Sequence, residues 1–112
     1  MRTLFALVLI LLTSFTLKAQ QTAKITINTP TVHCEECKNR IIKYVGRELG
    51  VQKVEVDWRK GITKVQYIPH RINPETIRVN IANLGYDADD EERLEEAFKK
   101  LPKACQIDRK KE

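Results

Sequence analysis

The order of strand-like and helix-like segments is the feature that most restricts how this chain can fold. The segments with strand-like alternation of polar and apolar residues are 24–29, 53–58 and 63–67, with a short last strand expected at 86–88. Helical spacing of apolar residues runs from Glu35 to Gly50, and again from Asn73-Pro74, a cap followed by proline, to Gly85. This order predicts an α+β fold, a ferredoxin-like βαββαβ sandwich in which a four-stranded antiparallel sheet carries two helices on one face.

The N-terminus carries the marks of a secretory signal. Arg2 precedes an apolar run from Leu4 to Leu12, which is too short to span a bilayer well and is followed by small and polar residues. We therefore expect residues 1–19 to be a signal peptide removed after Ala19, leaving 93 of the 112 residues. The predicted product is exported, with the periplasm as the expected location and secretion as the alternative, and without stable membrane insertion.

The remaining chain is long enough for one small domain with one core. Loss of Arg2 and Lys18 lowers the formal charge from +5 to +3, and the basic residues are dispersed except for a tail at 109–111. A clustered basic face or stacking aromatic residues would be expected of a nucleic-acid-binding protein, so we expect no nucleic-acid partner. The predicted domain covers residues 24–89, and residues 90–112 form an extension with a short amphipathic helix and a basic tail.

Two cysteines three residues apart, Cys34 and Cys37, lie where the first strand leads into the first helix. Thiolates select soft ions such as Cu(I), Hg(II) and Zn(II). Amides at a helix N-terminus supply partial positive charge, which favours the thiolate form. Two sulfurs suit a nearly linear Cu(I) or Hg(II) ion, whereas structural Zn(II) normally needs four ligands. The pair is therefore predicted to be a soft-metal site, with zinc the least expected of the three ions.

Residues 24–89 resemble the heavy-metal-associated domain (HMA) of small copper chaperones, of metal-transporting P-type ATPases and of exported mercury-binding proteins. The matching residues are Cys34-x-x-Cys37, Gly50-Val51, Val54-x-Val56-Asp57, Val65-x-Tyr67 and Leu84-Gly85-Tyr86-x-Ala88. The resemblance implies a ferredoxin-like fold, metal ligation by Cys34 and Cys37, and a metal-transporting ATPase or membrane transporter as partner. It also implies that Tyr86 lies next to the metal loop, with simple core packing as the plainer alternative.

Two further residues are candidates for additional metal ligands. His33 directly precedes the pair and takes a position where the family usually has threonine, although a solvated neighbour is the more common role for such a histidine. Cys105 follows Leu101-Pro102 in the tail. It has three open roles, namely folding back as a third thiolate, pairing with another molecule, or remaining unattached.

The alternative functions use the same cysteine pair. A thiol-disulfide redox protein also carries Cys-x-x-Cys at a helix N-terminus, but an aromatic residue before the pair and a later facing proline are then expected. A local disulfide in an oxidising compartment is a third interpretation. We expect no enzyme, because no nucleophile, base and acid cluster is present. The favoured function is an exported carrier or scavenger of Cu(I) or Hg(II) that passes its ion on by ligand exchange.

Overall fold

The computed structural model of the chain describes residues 3–4 and 21–106. Nearly all of the predicted signal segment and the basic tail at 109–111 lie outside these residues. The described elements are β1 (Ala23–Asn28), α1 (Glu35–Val45), β2 (Val51–Asp57), β3 (Ile62–Tyr67), α2 (Pro74–Asn83), α3 (Glu95–Lys99) and a 3-10 turn (Lys103–Cys105). Among these residues, no helix has the length and apolar character needed to cross a membrane.

The sheet is antiparallel, with the strands in the order β1-β3-β2. Strand β3 pairs with β1 from Ala23 opposite Tyr67 to Asn28 opposite Ile62. The β2–β3 hairpin forms as predicted, and Gly61 takes a positive φ of 68° in its turn. This conformation suits glycine because the residue has no Cβ to clash with the backbone.

The expected fourth strand at residues 86–88 does not form in the part of the chain that the structure describes, where the sheet has three strands. The segment does reach the end of β1, where the Asp89 N–H donates to the Asn28 carbonyl over 2.9 Å. However, the Asn28 N–H donates to the Asp89 side chain, at 2.8 Å, rather than to a strand carbonyl. Asp89 has a φ of 50°, and a tight turn joins Ala88 to Glu91. The chain therefore turns away from β1 before a ladder can extend.

The two longer helices differ in how well the sequence defines their ends. Asn73 caps α2 as predicted, with its side chain accepting a hydrogen bond from the Thr76 N–H at 2.8 Å. Helix α1 ends at Val45 rather than near Gly50. Gly46 stands at its C-cap, and glycine in a helix interior costs about 0.5–1 kcal/mol relative to alanine. Leu49 is the last apolar residue of the helix predicted up to Gly50, and because the helix ends earlier its side chain is 83% exposed.

The core lies between the sheet and the helices and extends to the C-terminal segment. Its fully buried members include Ile27, Ile41, Ile77, Ile81, Val65, Cys37 and Tyr86. Leu101 and Cys105, from the C-terminal extension, belong to the same apolar cluster. The described part of the extension, up to residue 106, is thus packed against the domain, and its helix α3 is only five residues long.

Candidate metal centre

The loop before the first helix is joined to the β2–β3 hairpin through Thr29, directly after β1. The Thr29 N–H donates to the Gly61 carbonyl at 2.8 Å, and the Thr29 hydroxyl lies 3.0 Å from that of Thr63 in a buried pair. Val32 is 1% exposed, so it forms the apolar plug beneath the loop. These contacts place the start of the cysteine loop at the end of the sheet.

The two predicted ligands meet at the start of α1. Cys34 is the N-cap residue, in extended conformation, and Cys37 lies in the first turn. Their Sγ atoms are 3.2 Å apart, well beyond a disulfide bond of about 2.05 Å, and both cysteines are free. Cys34 is half-buried, whereas Cys37 is fully buried. The pair can therefore present two sulfurs to one ion, with Cys34 as the more accessible side.

The two thiols have opposite acid–base tendencies. Burial opposes ionisation of Cys34, but hydrogen bonds from the backbone of Cys37 and Glu36, and from the thiols of Cys37 and Cys105, lower its pKa overall. Burial, followed by the neighbouring thiols of Cys105 and Cys34, raises the pKa of Cys37 to about 12. In the metal-free protein, Cys34 is therefore the thiol that ionises first.

The structure brings Cys105 to the same place. The Sγ atoms of Cys34, Cys37 and Cys105 all lie within 4.8 Å of one another. Cys105 is 0% exposed, and the Cys34 thiol points towards the Ala104 carbonyl at 3.9 Å. Of the three roles left open for Cys105, the folded-back position is the one that the structure adopts.

Tyr86 lies beneath this cluster. Its side chain is 0% exposed, and its hydroxyl is buried without a hydrogen-bond partner of acceptable geometry. Burial raises its pKa above the usual range, and the adjacent sulfurs of Cys37 and Cys105 raise it further. Tyr86 thus packs in the core and also adjoins the sulfurs, so the two roles considered for it coexist.

His33 is not part of the sulfur cluster. Its Nδ1 lies 3.1 Å from the Thr31 carbonyl, which can only accept, so Nδ1 carries the proton. The ring is half-buried and is held by its own loop. Metal ligation by His33 remains a prediction without a supporting contact.

In the predicted topology, Trp58 follows β2 and lies on the far side of the hairpin, with no metal role. In the structure, the Trp58 indole N–H instead donates to the carboxylate of Glu35 at 3.2 Å. Glu35 directly follows Cys34, so Trp58 lies beside the cysteine pair. A period-2 pattern places Trp58 on a face of β2, but the chain leaves the strand at Asp57, so the pattern no longer fixes the direction of the side chain.

Comparison with known proteins decides the family. A family model described as the heavy-metal-associated domain matches residues 26–87. The chain belongs to the heavy-metal-associated domain family. The match begins in β1, ends at Asp87 and includes Cys34, Cys37 and Tyr86, whereas Cys105 lies beyond it.

The relatives of this heavy-metal-associated domain include proteins named for copper. A copper-exporting P-type ATPase of Staphylococcus epidermidis is 32% identical over 66 residues, which are 59% of this chain and 8% of the ATPase. The chain thus spans less than a tenth of that relative's length. The copper chaperone CopZ of Staphylococcus haemolyticus is 31% identical over 61 residues, which are 54% of this chain and 90% of CopZ.

Among solved structures, oxidized MerP from Ralstonia metallidurans CH34 superposes with a TM-score of 0.59. The alignment covers 62% of this chain and 96% of MerP at 22% identity, and at that identity it shows the fold alone. The α+β fold predicted from the order of elements is confirmed, with an antiparallel sheet and helices, whereas the predicted fourth strand is absent from the described residues.

Proposed function

We propose that this protein is an exported, non-catalytic carrier of a soft metal ion, which it holds between the thiolates of Cys34 and Cys37. The single observation that carries the proposal is the pair of free sulfurs 3.2 Å apart at the start of α1. Soft thiolates favour Cu(I) and Hg(II). The copper names of the CopZ and ATPase relatives favour Cu(I) as the ion carried.

The asymmetry of the pair suggests how transfer proceeds. Cys34 is half-buried and its pKa is lowered, so it is the more accessible of the two thiols and the one that ionises more readily as an ion arrives. Cys37 lies deeper and loses its proton when the ion binds, since the ligand form of cysteine is the thiolate. An incoming thiolate from a partner then adds to the ion, and the two original sulfurs leave in turn. A metal-transporting ATPase with a domain of this family is the partner that the similarity supports.

The proposal is tested by anaerobic titration of the reduced protein with Cu(I), Hg(II) and Zn(II) against a competing chelator. Trp58 serves as an internal reporter, because it is the single tryptophan of the chain and bonds to Glu35 beside the pair. We expect one tightly held Cu(I) or Hg(II) per chain, weak Zn(II) binding and a change in Trp58 emission that saturates at one equivalent.

The matched control is the Cys34→Ser/Cys37→Ser double variant, which keeps the side-chain volumes nearly constant. Its Cu(I) affinity should fall by more than about 100-fold, or roughly 2.7 kcal/mol. Equal binding by the two proteins would contradict the assigned site. If the wild-type protein binds none of the ions tightly, the redox function of the same pair is favoured, and the reduction potential of Cys34 and Cys37 becomes the deciding measurement.

A further inference from the structure

We propose that Cys105 is a third thiolate ligand and that the closing segment, defined as residues 94–105, converts an open two-sulfur site into a closed three-sulfur site. The inference rests on the proposed function and extends it to the coordination and release of the ion. It assigns a metal-binding role to a residue outside the part of the chain that the family model matches.

The sulfur triangle has the size that a three-coordinate soft ion requires. A metal–thiolate bond is about 2.3 Å long, so three sulfurs around one ion in a plane are about 4.0 Å apart. The Sγ atoms of Cys34, Cys37 and Cys105 lie within 4.8 Å of one another, and those of Cys34 and Cys37 are 3.2 Å apart. Side-chain shifts of under about 1 Å therefore suffice to place all three sulfurs on one ion.

Cys105 is held in this position by packing along the closing segment. The Leu94 N–H donates to the Ala82 carbonyl at 2.9 Å, which joins the start of the segment to α2. Leu101 is 4% exposed and belongs to the domain core. The Gln106 side-chain amide donates to the carbonyls of Lys99 and Leu101, at 3.0 and 2.7 Å, and so closes the last turn. The third sulfur is thus part of the folded domain.

The Tyr86 hydroxyl supplies an independent indication. It is fully buried beside Cys37 and Cys105, yet it donates to no acceptor in acceptable geometry. A buried hydroxyl without a hydrogen-bond partner destabilises the folded protein. Metal-bound thiolate sulfur is anionic and accepts hydrogen bonds more strongly than a neutral thiol, so an ion on these sulfurs would turn the weak acceptors beside the hydroxyl into strong ones.

A third sulfur changes what happens to the ion. A two-coordinate ion is open to an incoming partner thiolate, whereas a three-coordinate ion is more crowded and must also give up a third sulfur before it can be transferred. Cys105 is the sulfur outside the Cys-x-x-Cys pair, and it is carried by a separate segment. The incoming ligand therefore takes the place of Cys105, and the closing segment slows release of the ion until a partner displaces it.

The test is X-ray absorption at the copper edge of the Cu(I)-loaded wild-type protein and its Cys105→Ser variant, with the rate of Cu(I) release to a chelator measured on both. We expect one Cu(I) per monomer with three sulfur neighbours in the wild type and two in the variant. The variant should release Cu(I) at least about tenfold faster. Tenfold is the lower end of the loss in metal affinity or activity that is typical when a residue supporting a metal site is changed. Native mass spectrometry establishes that the three sulfurs come from one chain.

Each contrary outcome has a distinct meaning. Two sulfurs in the wild type, with unchanged release by Cys105→Ser, would overturn the three-sulfur site and leave the Cys34–Cys37 carrier intact. Three sulfurs found only in a dimer would also overturn it. Absence of tight binding of both Cu(I) and Hg(II) by the wild type would defeat both proposals. The number of sulfur neighbours of Cu(I) in the wild-type protein is enough to test the three-sulfur site, so the test does not depend on the folding of the variant.

Discussion

Replacing Gly85 by alanine should both destabilise the domain and loosen the closing segment. Gly85 has a φ of 104°, and a Cβ built there would lie 2.9 Å from the Phe98 N atom, 3.0 Å from its Cα and 3.1 Å from the Ala97 carbonyl carbon. All three atoms belong to the backbone of α3, so no side chain can rotate to relieve the contact. The chain must therefore shift where the closing segment crosses the end of α2.

The expected loss of stability has two parts. A left-handed backbone costs a residue with a Cβ about 1–2 kcal/mol. Forcing an additional carbon into a packed site costs about 1–3 kcal/mol more. The Gly85→Ala variant should thus lose about 2–5 kcal/mol of unfolding free energy, measured by urea denaturation under reducing conditions.

Gly61→Ala is the matched control. Its φ of 68° carries the same kind of backbone cost, but an added Cβ would meet only ordinary contacts, the nearest being the Pro30 Cα at 3.5 Å. This variant should lose about 1–2 kcal/mol. Gly61→Ala should also leave Cys105 protected from alkylation, whereas Gly85→Ala should speed that reaction. The extent of alkylation is measured by peptide mass spectrometry, at a denaturant concentration well below the one that unfolds the protein. Equal stability losses in the two variants, together with unchanged Cys105 reactivity, would refute the assigned packing.

Two further predictions concern the sulfur cluster itself. Tyr86→Phe removes a buried hydroxyl that has no hydrogen-bond partner, so the unfolding free energy of the metal-free protein should stay constant or rise by about 1 kcal/mol; a loss larger than that in urea denaturation would show that the hydroxyl is satisfied. Iodoacetamide should modify Cys34 before Cys37 in the reduced protein, and the reaction of Cys34 should persist to lower pH. The reason is that the thiolate is the reactive form, and the pKa is lowered for Cys34 but raised to about 12 for Cys37. Modification of Cys37 first, in a pH series read by peptide mapping, would contradict the assigned order.

The features that the sequence predicted correctly are those decided by neighbouring residues. The β2–β3 hairpin follows from alternation on both sides of a short turn, and the start of α2 follows from the side chain of Asn73. The closeness of Cys34 and Cys37 follows from their spacing at a helix start. In each case the determining interaction spans only a few residues.

The features that the sequence did not fix depend on contacts between distant residues. The fourth strand was expected from its local pattern, but its pairing with β1 is replaced by the contact between Asn28 and the side chain of Asp89, 61 positions apart. The place of Cys105 depends on how Leu101 and Phe98 pack against the domain. The sequence shows only that Cys105 is a third cysteine outside the Cys-x-x-Cys pair, and this observation is compatible with all three of the roles considered for it.

The sulfur cluster joins parts of the chain that are far apart in sequence, since the contact between Cys34 and Ala104 spans 70 positions. An ion bound by both Cys34 and Cys105 would act as a cross-link around nearly the whole domain. By loop-closure arithmetic, a covalent link around a loop of that size lowers the entropy of the unfolded chain by an amount worth about 4 kcal/mol. Metal binding and fold stability would then be coupled. The metal-loaded protein would resist unfolding, and delivery of the ion would return the domain to its less stable metal-free form.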